Sequence, residues 1–246
     1  MRRRTDLSSV FTFGGRVPAT VGGFLALVLL ASIWASLDPA VAGQAGLKPV
    51  AIVERGQLWR LLTWVVVQPD PGTILFGGFM LWWIGQQLSY AWSERKFVLR
   101  VLGTTLFAGV ITALVGTFSS SGSAVAHLGM WPLVNALLVS WAMLHPEAQV
   151  NIWGVLPITG RNLALLVTGG TVLYAIFSGF AQFVPHLAAL ALAWGQARAG
   201  GGGRSWRQAK RWWADREAKR RSRHLKVVKK NGSDGRSDWL NRSAVS

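Results

Sequence analysis

His186, set within an apolar run, and the cluster Ser119-Ser120-Ser121-Gly122-Ser123 are residue types from which a serine hydrolase can be built. In that chemistry an imidazole within hydrogen-bond reach takes the proton of a hydroxyl, which then attacks a carbonyl carbon. The other histidines, at 127, 145 and 224, share no metal-ligand spacing with His186. The chain contains no cysteine, which excludes disulfide frameworks and thiolate metal sites. No metal and no cofactor are expected.

The elements that would position such residues are apolar. Of the 246 residues, 51% are hydrophobic and only 15% charged, and the mean hydropathy is +0.33. With long apolar runs, these values define an all-α integral membrane protein and argue against a water-soluble enzyme. A spanning helix needs ~20 mainly apolar residues. The first such stretch is Val17 to Leu37, an uncleaved anchor because its apolar run exceeds that of a signal peptide. Others run from about Thr73 to Trp92, Val98 to Phe118, Ala126 to Leu144, Leu163 to Phe177 and Phe180 to Ala197, the last two joined by a tight hairpin at Ser178-Gly179. Six spans are expected, with His127 and His145 near the two membrane surfaces.

The formal charge is +16, and 15 of the 26 Lys and Arg residues lie from Arg198 onward. The bias of Lys and Arg among short loops places both termini in the cytoplasm, and a bacterial-type inner membrane is the expected location. The segment from Pro39 to Pro71 is too polar and broken to span, yet interleaves Trp59 and Trp64 with Glu54, Arg55 and Arg60. It suits a partly inserted external loop with aromatic rings at headgroup depth.

Within that loop, Glu54-Arg55-Gly56-Gln57-Leu58-Trp59-Arg60 resembles the Trp-Arg loop of rhomboid intramembrane proteases. Leu81-Trp82-Trp83-Ile84-Gly85-Gln86-Gln87-Leu88 is similar to the end of the rhomboid second span, and Arg95-Lys96-Phe97 to the turn after it. The run from Phe183 through His186 to Ala189 and Ala193 resembles the sixth span, where a histidine precedes glycines spaced four apart. The resemblance covers roughly residues 15 to 198. It implies a six-helix bundle that hydrolyses a peptide bond within the membrane, using a serine at the start of the fourth span and a histidine on the sixth.

The resemblance also shows what is missing. Aligned from Ala142-Met143-Leu144-His145-Pro146, the family's Gly-x-Ser-Gly falls on Gly129-Met130-Trp131-Pro132, and Trp131 takes the nucleophile position. An indole has no nucleophilic oxygen and its N–H can only donate. The oxyanion-stabilising histidine and asparagine of the second span fall on Thr73 and Gly77, which retain at most one hydroxyl donor. A pseudoprotease that binds transmembrane partners is therefore expected, with His186 as a remnant. The alternative is an active protease whose nucleophile is Ser121, acting with His186.

Four regions follow: an N-terminal segment 1–16, the membrane domain 17–198, a basic segment 199–230 after a glycine hinge, and a polar end 231–246 expected to be disordered. In the basic segment Trp206, Trp212 and Trp213 stand among Arg207, Lys210 and Arg211, a pattern that suits a helix on an anionic leaflet. Nucleic-acid binding is the rival use of the same residues, and tethering beneath a bilayer favours lipid.

Overall fold

The computed structural model describes residues 18–118, 125–152 and 156–199, and the side chains of 151–156 are left aside. The expected features at 1–16, at Ser121 and across 200–246, including Trp206, Arg207, Lys210, Arg211, Trp212 and Trp213, lie outside the described residues.

Local chemistry sets where each helix begins. Helix α1 spans Ala19–Leu37. Asp38 then caps the short α2, Pro39–Ala45, by accepting from the Ala40 amide, with a proline in the first turn. Helices α3, Pro49–Val53, and α4, Arg60–Thr63, complete the loop. Helix α5, Pro71–Trp92, repeats the Asp-Pro start: Asp70 accepts from the Thr73 amide. A carboxylate at this position satisfies an amide that has no helical partner, and a proline there loses no bond. Helix α6 is Glu94–Thr117 and α7 is Trp131–Leu144. Strands β1, Gln149–Ile152, and β2, Leu156–Thr159, form an antiparallel hairpin in which Gln149 pairs with Thr159 and Ile152 with Leu156. Helix α8 is Gly160–Ser178. Gly179, at φ +95°, turns the chain directly into a further helix, α9, over residues 180–199. That φ is costly for any residue with a Cβ.

Helices thus occupy all six apolar segments. Three of them, α1, α6 and α8, are long and apolar enough to cross a membrane, among the described residues. Helix α7 starts five residues later than the apolar run Ala126 to Leu144 suggests, because residues 125–130 are drawn into loop contacts instead. The sequence reading placed no strand between α7 and α8, where the hairpin stands.

Helix α7 is the centre of the bundle. Leu133, Val134, Ala136, Leu137, Val139, Trp141 and Ala142 are buried along it, and α5, α6 and α8 pack against it. Polar bonds tie the layers: Trp141 Nε1 donates to Gln87 Oε1 at 2.6 Å, and Trp194 Nε1 donates to Thr168 Oγ1 at 2.9 Å. Gly85 is buried where a Cβ would meet Val21 at 3.2 Å, so α1 and α5 approach closely there. Ala189 and Ala193 are both buried in the same core. Gly169 and Gly170, by contrast, face open space. Leu30, Trp34, Phe76, Leu99, Tyr174 and Phe177 point outward, the arrangement expected where the solvent is lipid.

Candidate functional site

The loop before α7 is held by main-chain bonds to distant segments. Leu47 and His127 exchange amide-to-carbonyl bonds of 2.9 and 3.0 Å, and the Gly129 amide donates to the Trp64 carbonyl at 2.9 Å. Gly129 sits at φ +111°, a conformation that favours glycine. Buried Gln68 completes the join: its Oε1 accepts from the Met130 amide at 3.0 Å, while its Nε2 donates to the Val65 carbonyl at 2.8 Å. Sequence reasoning missed Gln68.

These bonds fix a cavity of about 340 Å³ between the loop and α9, lined by Trp64, His127, Pro132, Gln182, Pro185 and His186 among others. His186 is therefore at a cavity. Its Nδ1 is buried and has no hydrogen-bond partner, and its ring centroid lies 5.0 Å from that of Phe183. His127 joins it from the loop. His127 is only 8% exposed. His145 sits at the opposite end of α7, its Nδ1 3.2 Å from the Trp141 carbonyl oxygen.

Trp131 does not line the cavity. It stands at the first turn of α7 with 37% of its surface exposed, and its neighbour Pro132 faces the cavity instead. Thr73 and Gly77 are also engaged otherwise. The Thr73 hydroxyl donates to Asp70 Oδ2 at 2.6 Å, and Gly77 packs against Met130, whose Cε would lie 3.3 Å from an added Cβ.

The loop between α1 and α5 is organised by Arg60, which is 6% exposed. Its Nη1 donates to the carbonyls of Gly43 and Gly46, and its Nε donates to Gln57 Oε1. Trp59 is exposed and Trp64 buried. Glu54 is exposed at the end of α3, where its amide donates to the Val50 carbonyl at 2.9 Å.

Residues 19–197 match the family described as "Eukaryotic integral membrane protein (DUF1751)", and the chain belongs to that family. No curated protein matches it. The family's eukaryotic description overturns the expected bacterial-type inner membrane. The Lys and Arg bias behind that expectation orients helices across a bilayer and carries no information on which kind of cell supplies it.

Proposed function

We propose that this chain is a rhomboid-like, six-span membrane protein without peptidase chemistry, which binds membrane-embedded partners. The observation that carries the proposal is the engagement of Thr73 and Met130. The one hydroxyl left at the oxyanion positions is held by Asp70, and the fully buried Met130 side chain packs over Gly77. Acyl transfer needs preorganised donors aimed at the developing oxyanion, and loss of one alone costs roughly 10²- to 10³-fold. Binding is the role that the remaining features support. A polar cavity inside an apolar bundle offers hydrogen bonds to groups that are expensive to leave unsatisfied in lipid. Contact of the basic, tryptophan-bearing segment with anionic lipid is part of the same proposal.

The test is reaction of the purified protein in detergent with a fluorophosphonate probe. No labelling above a heat-denatured control is expected. Stoichiometric labelling of a serine, Ser121 above all, would overturn the assignment.

A further inference from the structure

Where α5 gives way to α6, the Arg100 guanidinium lies over the Trp92 ring, 3.8 Å from its centroid. We propose that this corner binds one anionic phospholipid, its phosphate held by Arg100 and Lys96 and one acyl chain lying in a notch at Gly103. The inference needs only that the chain is a membrane protein, and is independent of whether it retains peptidase chemistry.

Charge marks the headgroup end. Stacking on an indole fixes the plane of a guanidinium, and a guanidinium held in this way offers a phosphate two parallel N–H bonds. Lys96 stands one turn earlier on the same side of α6, because residues four apart share a helix face, and its side chain is exposed. Exposed Arg95 adds a third cation, against Glu94 as the acid of the first turn. Among the described residues no carboxylate pairs with the side chains of Arg95, Lys96 or Arg100. The segment between α1 and α5 is different: Asp38, Glu54 and Asp70 there balance Lys48, Arg55 and Arg60.

The helix face that begins at these cations selects a lipid over a free anion. By helical spacing Lys96, Arg100, Gly103, Phe107, Val110 and Leu114 fall within an arc of about 80°. Phe107, Val110 and Leu114 are exposed along it, whereas Phe97, Val101, Ala108 and Thr112 on the other side of α6 are buried. A Cβ added at Gly103 would meet nothing within 4 Å, so this residue leaves a gap in the face between the exposed Leu99 and Phe107. Apolar exposure alone is what any lipid-facing helix shows. Cations without a carboxylate at the head of the notch add the preference for a negative headgroup. A zwitterionic headgroup brings its own ammonium to the phosphate, and these cations repel it.

The experiment uses the full chain, purified in neutral detergent and titrated with phosphatidylglycerol or phosphatidylcholine, with bound lipid counted by native mass spectrometry. Saturable binding of phosphatidylglycerol is expected, phosphatidylcholine should bind more weakly, and inorganic phosphate should not displace the lipid. Lys96→Gln and Arg100→Gln should each weaken phosphatidylglycerol about fivefold, the weight of one basic residue at an anionic surface. Gly103→Leu fills the notch without meeting protein, and should weaken the long-chain lipid while leaving a dihexanoyl analogue unchanged. Replacing Arg207, Lys210 and Arg211 by Gln should leave all these differences in place. Equal binding of the two lipids, displacement by phosphate, no effect of the α6 substitutions, or loss of all binding in the tail variant would each overturn the site. A second measurement needs no variant: phosphatidylglycerol should protect Lys96 of the wild-type chain from acetylation while Lys48 stays reactive. Equal acetylation of Lys96 with and without the lipid would refute the proposal. A negative lipid result leaves the fluorophosphonate outcome untouched, so the two proposals fail separately.

Discussion

Arg60 Nη1 donates to the Gly46 carbonyl oxygen at 2.6 Å, joining the start of α4 to the end of α2 through a guanidinium that is almost wholly withdrawn from solvent. Burial, and the neighbouring positive charge of Arg55, lower the pKa of this group. Nothing at physiological pH deprotonates an arginine, so its charge is held by carbonyl dipoles. Arg60→Ala leaves the Gly43 and Gly46 carbonyls without this donor and is expected to cost about 3 kcal/mol, since bonds to charged groups are worth more than neutral ones. Arg60→Lys should recover part of that, lacking the fork that reaches two carbonyls and Gln57 together. Thermal unfolding in detergent measures both. An unaltered midpoint in Arg60→Ala would contradict the loop's dependence on this residue.

Two glycines separate backbone crowding from side-chain crowding. A Cβ at Gly160 would collide with the His145 carbonyl oxygen and lie 2.9 Å from that of Ala142. Neither atom can move without dislodging the end of α7, so Gly160→Ala is expected to destabilise by about 3 kcal/mol. A Cβ at Gly77 would meet only the Met130 side chain, at 3.3 Å. Met is flexible, and Gly77→Ala should cost less than about 1 kcal/mol, partly offset by better helix propensity. Melting midpoints of the two variants should therefore differ by several degrees.

Restoring the missing hydroxyl at the aligned position should not restore chemistry. Trp131 is 37% exposed and is not among the residues that line the cavity with His186, so in Trp131→Ser the new oxygen is expected to stand outside that lining. The variant is expected to remain unlabelled by fluorophosphonate and inert towards a transmembrane peptide substrate. Any cleavage would place residue 131 beside His186, against the geometry described above.

Asp70 gives a pH dependence of definite sign. Bonds from the Thr73 hydroxyl and then the Thr73 amide hold its carboxyl below the ordinary carboxylate range. A depressed pKa in the folded state means that the unfolded chain binds the proton more readily in this window. The contribution is therefore complete above the unfolded value of 3.8 and disappears as pH falls through the lower folded value. Asp70→Ala should melt below the wild type at pH 7, and the gap should narrow as pH falls below 3.8. A gap independent of pH would mean that charge plays no part in the cap.

Much of this architecture was legible because its signals are local. The six apolar runs stand out by composition and all are helical, and Gly179 marks the turn between α8 and α9. The polar, tryptophan-bearing loop is recognisable from composition alone. What was not legible depends on long-range pairing. Gln68 binds a Met130 amide 62 residues away, and nothing near either residue predicts it. His127 exchanges main-chain bonds with Leu47, 80 residues earlier, a pairing that nothing near either residue announces. Alignment assigned Trp131 a position along α7 and could not say which face it occupies. The hairpin was hidden because Val150 and Ile158 suit a strand or a membrane-surface loop equally well.

Helix α7 has 14 residues, about 21 Å at 1.5 Å each, against a hydrocarbon thickness of about 30 Å. A helix that met lipid along its length would have to thin the bilayer around it. Enclosed by α5, α6 and α8, α7 is spared that mismatch, and the 24-residue α6 can adjust by tilting. Changes in bilayer thickness should therefore be absorbed at the periphery, leaving the geometry at the buried end of α7 insensitive to which lipids surround the protein.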